Sequence, residues 1–500
     1  MKEEKTNNTK ISCPSEGRDE RDVRQEKRSA RKSSTSKRKK GSTGSSKSAQ
    51  GRAIQESPES SKFNRHNDWR FYASSEEVAK ALANIPFNVM SGLGITLPTT
   101  SNTLPTQFKA NLAGIMVLPY VPSIGISISK SAGVNMAALQ LYTAVRRNNS
   151  GAKNYEAPDL MMFILAMRDI YSSAIECRRI LGLAKNYQYT NRSYPSQIIE
   201  CLGIKSDDLI ANYSAYRGRY NLLVSKINSF AVPAYFKAFD RAGLISGNIF
   251  MDSTSVRGQL YAYRKAGFYT FSGTTSTTGS SLVYHPLIQD FEDVLGDVQL
   301  FGQWLDNLEE QIDSLFLDDD INTMNGDILK AFNGKDLYQL AEVPDDFVID
   351  AVYNEDILSQ IENSQSVYGM SSVQLVDLAG AMETDSLNVT QSAQVIRWNP
   401  QFAYSATDVI KTLDSLIFNS HKDNPEYYDV LDWSRNMLIL SERQSGSTYI
   451  AEVEAVGLEL LLVHQVILFG DGISVSGLKQ VMNLRNDTPS SYPFSEVLGA

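Results

Sequence analysis

The order of apolar and polar residues predicts helices in the middle of the chain. Residues 206–230 carry a stripe in which each apolar or aromatic side chain follows the last by three or four positions, the spacing of one helix face. Residues 135–147 and 291–316 repeat this period. The stripe of the first segment consists of Leu209, Tyr213, Tyr216, Tyr220, Leu223, Ile227 and Phe230.

A further helix is predicted to be buried on all sides. It opens at Pro158, because proline is favoured in the first turn of a helix, and we expect it to end at Gly182. Residues 160–167 are apolar at every position, so no face of this part of the helix is suited to water.

Strands are predicted on either side of these helices. Five prolines between residues 86 and 122 exclude long helices there and favour extended segments. Residues 258–287 combine aromatic residues, threonine and glycine, which is typical of strands joined by a hairpin loop. Long helical spans between residues 135 and 240 argue against a jelly roll, since that fold needs many short alternating strands. We therefore predict a mainly α fold with some β structure.

The length of the chain predicts more than one domain. It has 500 residues, 42% of them hydrophobic, and a single core rarely serves more than about 300 residues. We expect a disordered arm over residues 1–65 and a helical domain over residues 66–270. An acidic region over residues 271–430 and a segment 431–500 that returns to the helical domain complete the prediction.

Charge is distributed unevenly along the sequence. The formal charge is −9, yet residues 1–50 hold fifteen basic and seven acidic side chains. Residues 290–362 hold twenty acidic side chains against two lysines. The arm also lacks the large apolar side chains whose burial would offset its ordering entropy. The sequence therefore predicts a disordered basic tail and an acidic block in the second half of the chain.

The basic arm predicts binding to nucleic acid. Clustered Lys and Arg with flexible Ser and Gly between them neutralise phosphates and release counterions without reading a base sequence. The alternative is a nuclear-localisation signal or a solubilising tail. The predicted contact residues are Arg28, Arg31, Lys32, Lys37, Arg38, Lys39 and Lys40.

Two arginine pairs have several interpretations. Arg146 and Arg147, and likewise Arg178 and Arg179, extend a basic inner surface in one reading. In the others, each pair lies on a solvated helix face or in a contact between subunits.

The sequence gives little support for catalysis or metal binding. Only four histidines occur, and His464 lies in an apolar run that predicts a core histidine. The acidic run from Asp318 fails as a calcium loop, because Thr323 stands where an EF-hand needs glycine and no glutamate follows at the twelfth position. We predict no catalytic residue, no metal site, no cofactor and no small-molecule substrate. An enzyme that uses carboxylates of residues 290–362 is a separate hypothesis.

Cysteine spacing and hydropathy add two expectations. Cys13, Cys177 and Cys201 form no CxxC pair, so we expect free thiols in a reducing compartment. The apolar clusters fall short of the roughly 18 residues that a membrane span needs, and the first residues lack an apolar signal segment. We therefore expect a soluble, unsecreted protein.

Longer runs of the sequence are similar to one viral family, the capsid proteins of picobirnaviruses, which have double-stranded RNA genomes. The likeness is densest between Val145 and Ser253. The runs that carry it are "AVRRNNSGAKNYEAPDLMMFILAMRDIYS", "YTNRSYPSQIIECLGI", "NYSAYRGRYNLLVSKINSFAVPAYFKAFDRAGLISGNIFMDS" and "DDDINTMNGDILKAF".

This resemblance implies a structural role. It implies a helical shell domain, a smaller projecting domain, and symmetric homodimers that tile an icosahedral shell around viral RNA. We expect residues 66–270 to form the shell domain and residues 271–430, with the acidic block, to form most of the projection. It also implies a virion protein assembled in the host cytoplasm that is not an enzyme, apart from self-cleavage by which its N-terminal segment can be removed during maturation. The family links that segment to packaging and to perturbation of host membranes. A cellular nucleic-acid-binding protein with a disordered basic tail is the alternative.

Overall fold

The structure is a computed structural model, and the described residues lie in the second of two units, residues 62–500. They are 75–78, 94–98, 107–111, 115–149, 155–186, 194–252, 259–274, 279–288, 298–367, 384–392, 394–405, 420, 422–445, 448–469 and 479–484. The predicted arm, residues 1–65, lies outside them, as does Cys13.

Helices supply most of the core. In chain order they are α1 (Gly133–Asn148), α2 (Ala157–Ala184), α3 (Tyr194–Cys201), α4 (Ser206–Ala211), α5 (Tyr213–Ile227), α6 (Lys237–Gly247), α7 (Phe301–Phe316), α8 (Asp319–Ala331), α9 (Glu355–Glu362), α10 (Thr384–Leu387) and α11 (Tyr427–Trp433).

Helix α2 lies at the centre of this packing. It has 28 residues, 22 of them buried, and it packs against α1 and against α3 to α7. Pro158 stands in its first turn, where its missing N–H costs no helical hydrogen bond. The backbone N–H of Glu156 donates to Asp159 Oδ2 over 2.8 Å and closes the N-terminus. The predicted buried helix is confirmed, and it ends two residues beyond Gly182.

The described strands form four sheets. They are β1 (Gly94–Pro98), β2 (Gln107–Asn111), β3 (Ile115–Pro122), β4 (Ile249–Met251), β5 (Leu260–Lys265), β6 (Gly267–Ser272), β7 (Ser281–Pro286), β8 (Ala351–Tyr353), β9 (Val389–Ser392), β10 (Val395–Arg397), β11 (Gln401–Ser405), β12 (Leu438–Ser445), β13 (Thr448–Val456), β14 (Glu459–Leu461), β15 (His464–Phe469) and β16 (Lys479–Leu484).

The largest sheet is mixed and has the order β16-β15-β3-β5-β4-β8, with β14 also beside β3. Its central strand β3 is parallel to β5 and antiparallel to β14 and β15. The smaller sheets have the orders β10-β9-β7-β6, β11-β13-β12 and β1-β2. Strands β6 and β7 form the predicted hairpin. The fold is thus mainly α with some β structure, as predicted, and in the described part of the chain it is not a jelly roll.

Side chains from two helices cover the outer edge of β6. The Tyr269 N–H donates to Asp169 Oδ2 on α2 over 2.8 Å, and the Tyr269 carbonyl accepts from Gln311 Nε2 on α7 over 3.1 Å. The Phe271 N–H donates to Ser314 Oγ over 3.1 Å. Backbone groups that another strand would otherwise satisfy are thereby paired within the chain.

Two predicted helices differ in detail from the structure. The stripe over residues 206–230 is divided between α4 and α5 at Asn212, whose Nδ2 donates to the Asp208 carbonyl over 3.2 Å. The stripe still faces the core, since five of its residues are buried and Tyr213 and Tyr216 pack against it. The helix predicted over 291–316 begins at Phe301, because residues 298–300 are extended and Gln299 bridges Ile204; residues 291–297 lie outside the described part.

The acidic region shares the core of α2. Residues of α7 and α8 belong to the same hydrophobic cluster as α2, and the Ile349 N–H donates to the Gly182 carbonyl over 3.3 Å. Asp318 caps the N-terminus of α8 by accepting from the backbone N–H groups of Asp320 and Ile321. The boundaries at residues 270 and 430 remain predictions, while α7 and α8 are anchored on the helical core.

Candidate assembly surface

The arginines singled out in the sequence lie in different environments. The arm residues Arg28 to Lys40 lie outside the described part of the chain. Arg147 is exposed on α1, which fits a solvated face or an intersubunit contact. Arg178 lies over the Phe347 ring at 4.5 Å from its centroid. Arg179 is fully buried, so all three predicted roles are wrong for it.

Arg179 is buried because the fold supplies it with partners. Its Nη2 pairs with Glu176 Oε1 over 2.9 Å and also donates to the Tyr263 carbonyl over 2.9 Å. Its Nη1 donates to the carbonyls of Ile245 and Asn248 over 3.3 and 3.2 Å. Burial raises the pKa of Glu176, and the Arg179 and Lys265 cations oppose that shift. The pair joins α2 to α6 and β5.

A second buried ion pair lies about two turns earlier on the same face of α2. Lys265 Nζ contacts Asp169 Oδ1 over 2.7 Å and Ser173 Oγ over 2.7 Å. Asp169 Oδ2 accepts from the Tyr269 N–H and from Gln311 Nε2. Each charged atom of this pair has a partner, which is the condition under which buried charges are tolerated.

A small cavity borders these two pairs. Its volume is about 20 Å³, and Ser173, Glu176, Lys265, Trp304 and Gln311 are among its lining residues. That volume suits a single water molecule and nothing larger. The buried charged side chains of α2 therefore hold neighbouring elements together, and the cavity beside them has no room for a substrate.

His464 is a core histidine, as predicted. It is buried, with Ser364 Oγ 2.6 Å from Nε2 and Ser366 Oγ 3.0 Å from Nδ1. Burial lowers the pKa of His464 to about 4, so the ring is neutral at pH 7. Cys177 and Cys201 are buried cysteines that form no disulfide bond, which confirms the prediction for these two residues.

Helix α11 reverses the usual polarity of a surface helix. Four of its seven residues are large, apolar and exposed, with exposed fractions of 78% for Tyr427, 52% for Tyr428, 40% for Val430 and 65% for Leu431. Its inward side carries Trp433 and the carboxylate of Asp429. Surface helices of single-chain proteins normally turn their apolar stripe inward. An outward apolar face of this kind is typical of a surface that contacts another molecule.

Polar contacts hold α11 in place. Gln360 of α9 donates from Nε2 to Asp432 Oδ1 over 3.1 Å. The same Gln360 accepts at Oε1 from Arg241 over 2.6 Å, and Arg241 pairs with Glu459 Oε2 over 3.1 Å. Asp429 caps the helix by accepting from the Glu426 N–H over 3.0 Å and pairs with Lys422. The exposed apolar face is thus presented by an anchored helix.

Helix α11 was not predicted from the sequence. The run "YYDVLDW" is too short for a stripe, and its acidic residues give it the look of a loop. The available signal was the high proportion of large apolar or aromatic residues, five in seven positions.

Further large apolar side chains are exposed elsewhere in the described chain, at Ile128, Met136 and Leu139 near the start of α1, and at Leu317 after α7.

Other kinds of site are not evident in the described residues. In that part of the chain no group of three or more His, Cys, Asp or Glu side chains is arranged to hold a metal ion. No helix of the described segments combines the length and apolar character needed to cross a bilayer.

Comparison with known proteins gives consistent matches. The family model described as "Picobirnavirus, Capsid protein" matches residues 71–415. The capsid protein precursor of human picobirnavirus (strain Human/Thailand/Hy005102/-) is 27% identical over 363 residues, which is 71% of this chain and 64% of that protein. The match therefore spans less than two thirds of that curated relative.

A solved structure extends the match to the fold. The X-ray crystallographic structure of the picobirnavirus capsid has a TM-score of 0.68 and 34% sequence identity, and the alignment covers 85% of this chain and 86% of that chain. The resemblance seen in the sequence is confirmed. With a family model over most of the sequence and a solved capsid of matching fold, the chain belongs to the picobirnavirus capsid protein family and is a viral structural protein.

Proposed function

We propose that this subunit self-assembles as symmetric homodimers into an icosahedral shell that encloses a double-stranded RNA genome. The observation that carries the proposal is the outward apolar face of α11 on a chain of a capsid family. When a second subunit covers exposed Tyr and Leu side chains, apolar surface is removed from water and the contact between the subunits is stabilised. Identical subunits most often pair about a two-fold axis, where one patch meets its own copy.

The N-terminal arm is proposed to bind the RNA without sequence selectivity. The proposed contacts remain Arg28, Arg31, Lys32, Lys37, Arg38, Lys39 and Lys40. These side chains neutralise backbone phosphates, so affinity falls with salt by about 0.9 logarithmic units per phosphate per tenfold increase on a duplex. The acidic block over residues 290–362 repels RNA and suits a surface turned away from it.

The domain division is carried forward as a proposal. The shell domain takes residues 66–270, residues 271–430 form most of the projection, and residues 431–500 return to the shell. Because α7 and α8 share the core of α2, we expect the part of residues 271–430 that projects to lie after α8 in the sequence.

The outward position of the acidic turn is tested by thiol labelling of an Asp319→Cys variant in intact particles. Labelling of intact particles is expected; protection of the introduced thiol until the particles are opened would contradict the outward position.

Three further roles are proposed on the strength of the family. The segment before about residue 65 is cleaved during maturation and acts on host membranes at entry. The subunit is assembled in the host cytoplasm and resides in the virion. No cofactor or small-molecule substrate takes part.

The test compares two proteins, the full chain and the chain lacking residues 1–65. Both are imaged by negative-stain electron microscopy, and the RNA that co-purifies is measured by the ratio of absorbance at two wavelengths. Closed particles from both, with RNA lost on deletion, are the expected result. A full-length chain with the seven arm residues changed to glutamine is the matched control, since it keeps the length and loses the charge.

The alternative predicts a different outcome. A cellular nucleic-acid-binding protein with a basic tail stays monomeric or dimeric at every protein concentration and salt. Small species from both chains under all conditions would favour that alternative and reject assembly into a shell.

A further inference from the structure

We propose that α11 forms a two-fold contact in which the α11 helices of two subunits lie antiparallel, with the axis passing between Tyr427 and Leu431 on the exposed face. The inference rests on the proposed function, because it names one surface through which the subunits assemble. The occupant of the apolar face is a second copy of this chain.

The side chains along α11 and its flanks form a self-complementary line. Tyr427 and Leu431 are four residues apart on α11, the spacing of one helix face, while Asp423 lies four residues before the helix and Arg435 two residues after it. All four are exposed. The order is acid, aromatic, aliphatic, base, so two apolar side chains lie at the centre and opposite charges lie at the two ends.

An antiparallel pair matches this line with itself. Tyr427 then packs on the partner subunit's Leu431, and Asp423 lies opposite the partner subunit's Arg435, each contact occurring twice as two-fold symmetry requires. A parallel pair would place Asp423 against Asp423 and Arg435 against Arg435. The helix dipoles also favour the antiparallel arrangement.

The flanking charges are available for this contact. Arg435 has only a loose ion pair with Asp432, at 3.8 Å, and its side chain is 47% exposed. Lys422, the cation next to Asp423, is instead occupied, since it pairs with Asp429 and lies 5.4 Å from the centroid of the Trp433 ring. Because Lys422 is already paired, Asp423 gives one end of the line a negative charge, and Arg435 gives the other end a positive charge.

The anchoring of α11 preorganises the contact. Asp432 and Asp429 are tied to Gln360 and to the helix N-terminus, so pairing does not first have to order the helix. Aromatic side chains with few rotatable bonds, such as Tyr427, are the residues that most often dominate interface energies.

Mixed disulfide formation tests the register. Tyr427→Cys and Leu431→Cys are made separately in a Cys13→Ser background, where the remaining Cys177 and Cys201 are buried. Mild oxidation of the mixture is expected to give a 427–431 crosslinked dimer, identified by mass spectrometry, while either variant alone gives little. Self-crosslinking of each variant alone, or no crosslink in the mixture, would overturn the antiparallel register.

Charge reversal tests the ends of the line. Asp423→Arg or Arg435→Asp alone is expected to raise the dimer dissociation constant about tenfold, because like charges then face each other. The double variant exchanges the two charges and is expected to restore wild-type dimerisation. A double variant as weak as the two single variants combined would reject the pairing.

The result is separable from the proposed function. If the wild-type chain forms particles but the crosslink and the charge rescue both fail, another surface mediates the two-fold contact and the shell function stands. If the wild-type chain forms neither dimers nor particles, the proposed function itself fails. Leu317→Cys, at a position 88% exposed and away from α11, is the control for random collisions.

Discussion

Helices α2 and α11 both depart from the usual amphipathic pattern, and they do so in opposite directions. Helix α2 buries the charges of Asp169, Glu176 and Arg179, whereas α11 exposes Tyr427 and Leu431. Each departure needs compensation. A buried charge costs free energy unless a polar or charged group pairs with it, and an exposed apolar face is stabilised when another surface covers it.

The difference lies in where the compensating groups come from. The charges of α2 are paired by groups of the same chain, on β5, β6, α6 and α7. The described part of the chain supplies nothing to cover the outer face of α11. The contrast indicates that α2 stabilises the subunit, whereas α11 is the surface that we propose for contacts between subunits. Four measurements can break or sharpen this contrast.

The largest effect is expected from Asp169→Ala. The change leaves Lys265 buried without its carboxylate and removes acceptors from Tyr269 and Gln311, so the free energy of unfolding should fall by about 3–5 kcal/mol. Denaturant unfolding of the isolated subunit measures it. Lys237→Ala, at an ion pair whose lysine is 87% exposed, is the control and should change stability little. An equal loss from both variants would contradict the special role of α2.

The next effect is a pH dependence from His464. The folded state keeps this ring neutral down to about pH 4, whereas the unfolded chain takes up a proton near its ordinary pKa of 6.5. Stability is therefore lost as the pH falls from about 6.5 to about 4, by up to about 3 kcal/mol.

The measurement is the unfolding free energy at several pH values for wild type and for His464→Gln. The variant should lose this part of the pH dependence, although it is less stable at neutral pH. The same slope in both proteins would show that the imidazole is already accessible to protons.

A smaller loss is expected from Gly182→Ala. A Cβ at this position would lie 2.7 Å from Ile349 Cγ1 and 2.8 Å from Phe347 Cε1, so either α2 or residues 347–349 must move. Overpacking of this kind costs about 1–3 kcal/mol, partly offset by the better helix propensity of alanine.

Gly218→Ala in α5 is the matched control for helix propensity. Its Cβ would have no atom within 4 Å, so this variant should gain up to about 1 kcal/mol of stability. If both glycine variants gained stability, the packing of residues 347–349 on α2 would be looser than the structure indicates.

The smallest effect on stability is expected from Leu431→Ser. Because this side chain is 65% exposed, the free energy of unfolding of the dissociated subunit should change by no more than about 0.5 kcal/mol. Assembly, followed by light scattering, should nevertheless be impaired. A large loss of subunit stability with normal assembly would reverse the contrast between the two helices.

The sequence predicted the parts of the fold that rest on regular spacing. The stripe that ends at Phe230, the buried helix from Pro158 and the helix through Leu308 follow from apolar periodicity alone. The break at Asn212 was not predicted, because it depends on a side-chain hydrogen bond to Asp208 that leaves the apolar spacing unchanged.

The charged interior and the assembly surface were harder to foresee. Arg179 was expected near the surface because its carbonyl partners, Ile245, Asn248 and Tyr263, are more than sixty residues away in sequence. Helix α11 was missed because it has only seven residues, too few to show a repeating apolar stripe.

The covered edge of β6 has a consequence for the fidelity of assembly. Many identical subunits meet at high local concentration, and an open strand edge would let them join by continuous strand pairing into fibres. At β6 an incoming strand would first have to displace Asp169 from the Tyr269 N–H and Ser314 from the Phe271 N–H. The carboxylate that neutralises Lys265 thus also hinders open-ended strand pairing at this edge, which is consistent with the closed, symmetric contact proposed at α11.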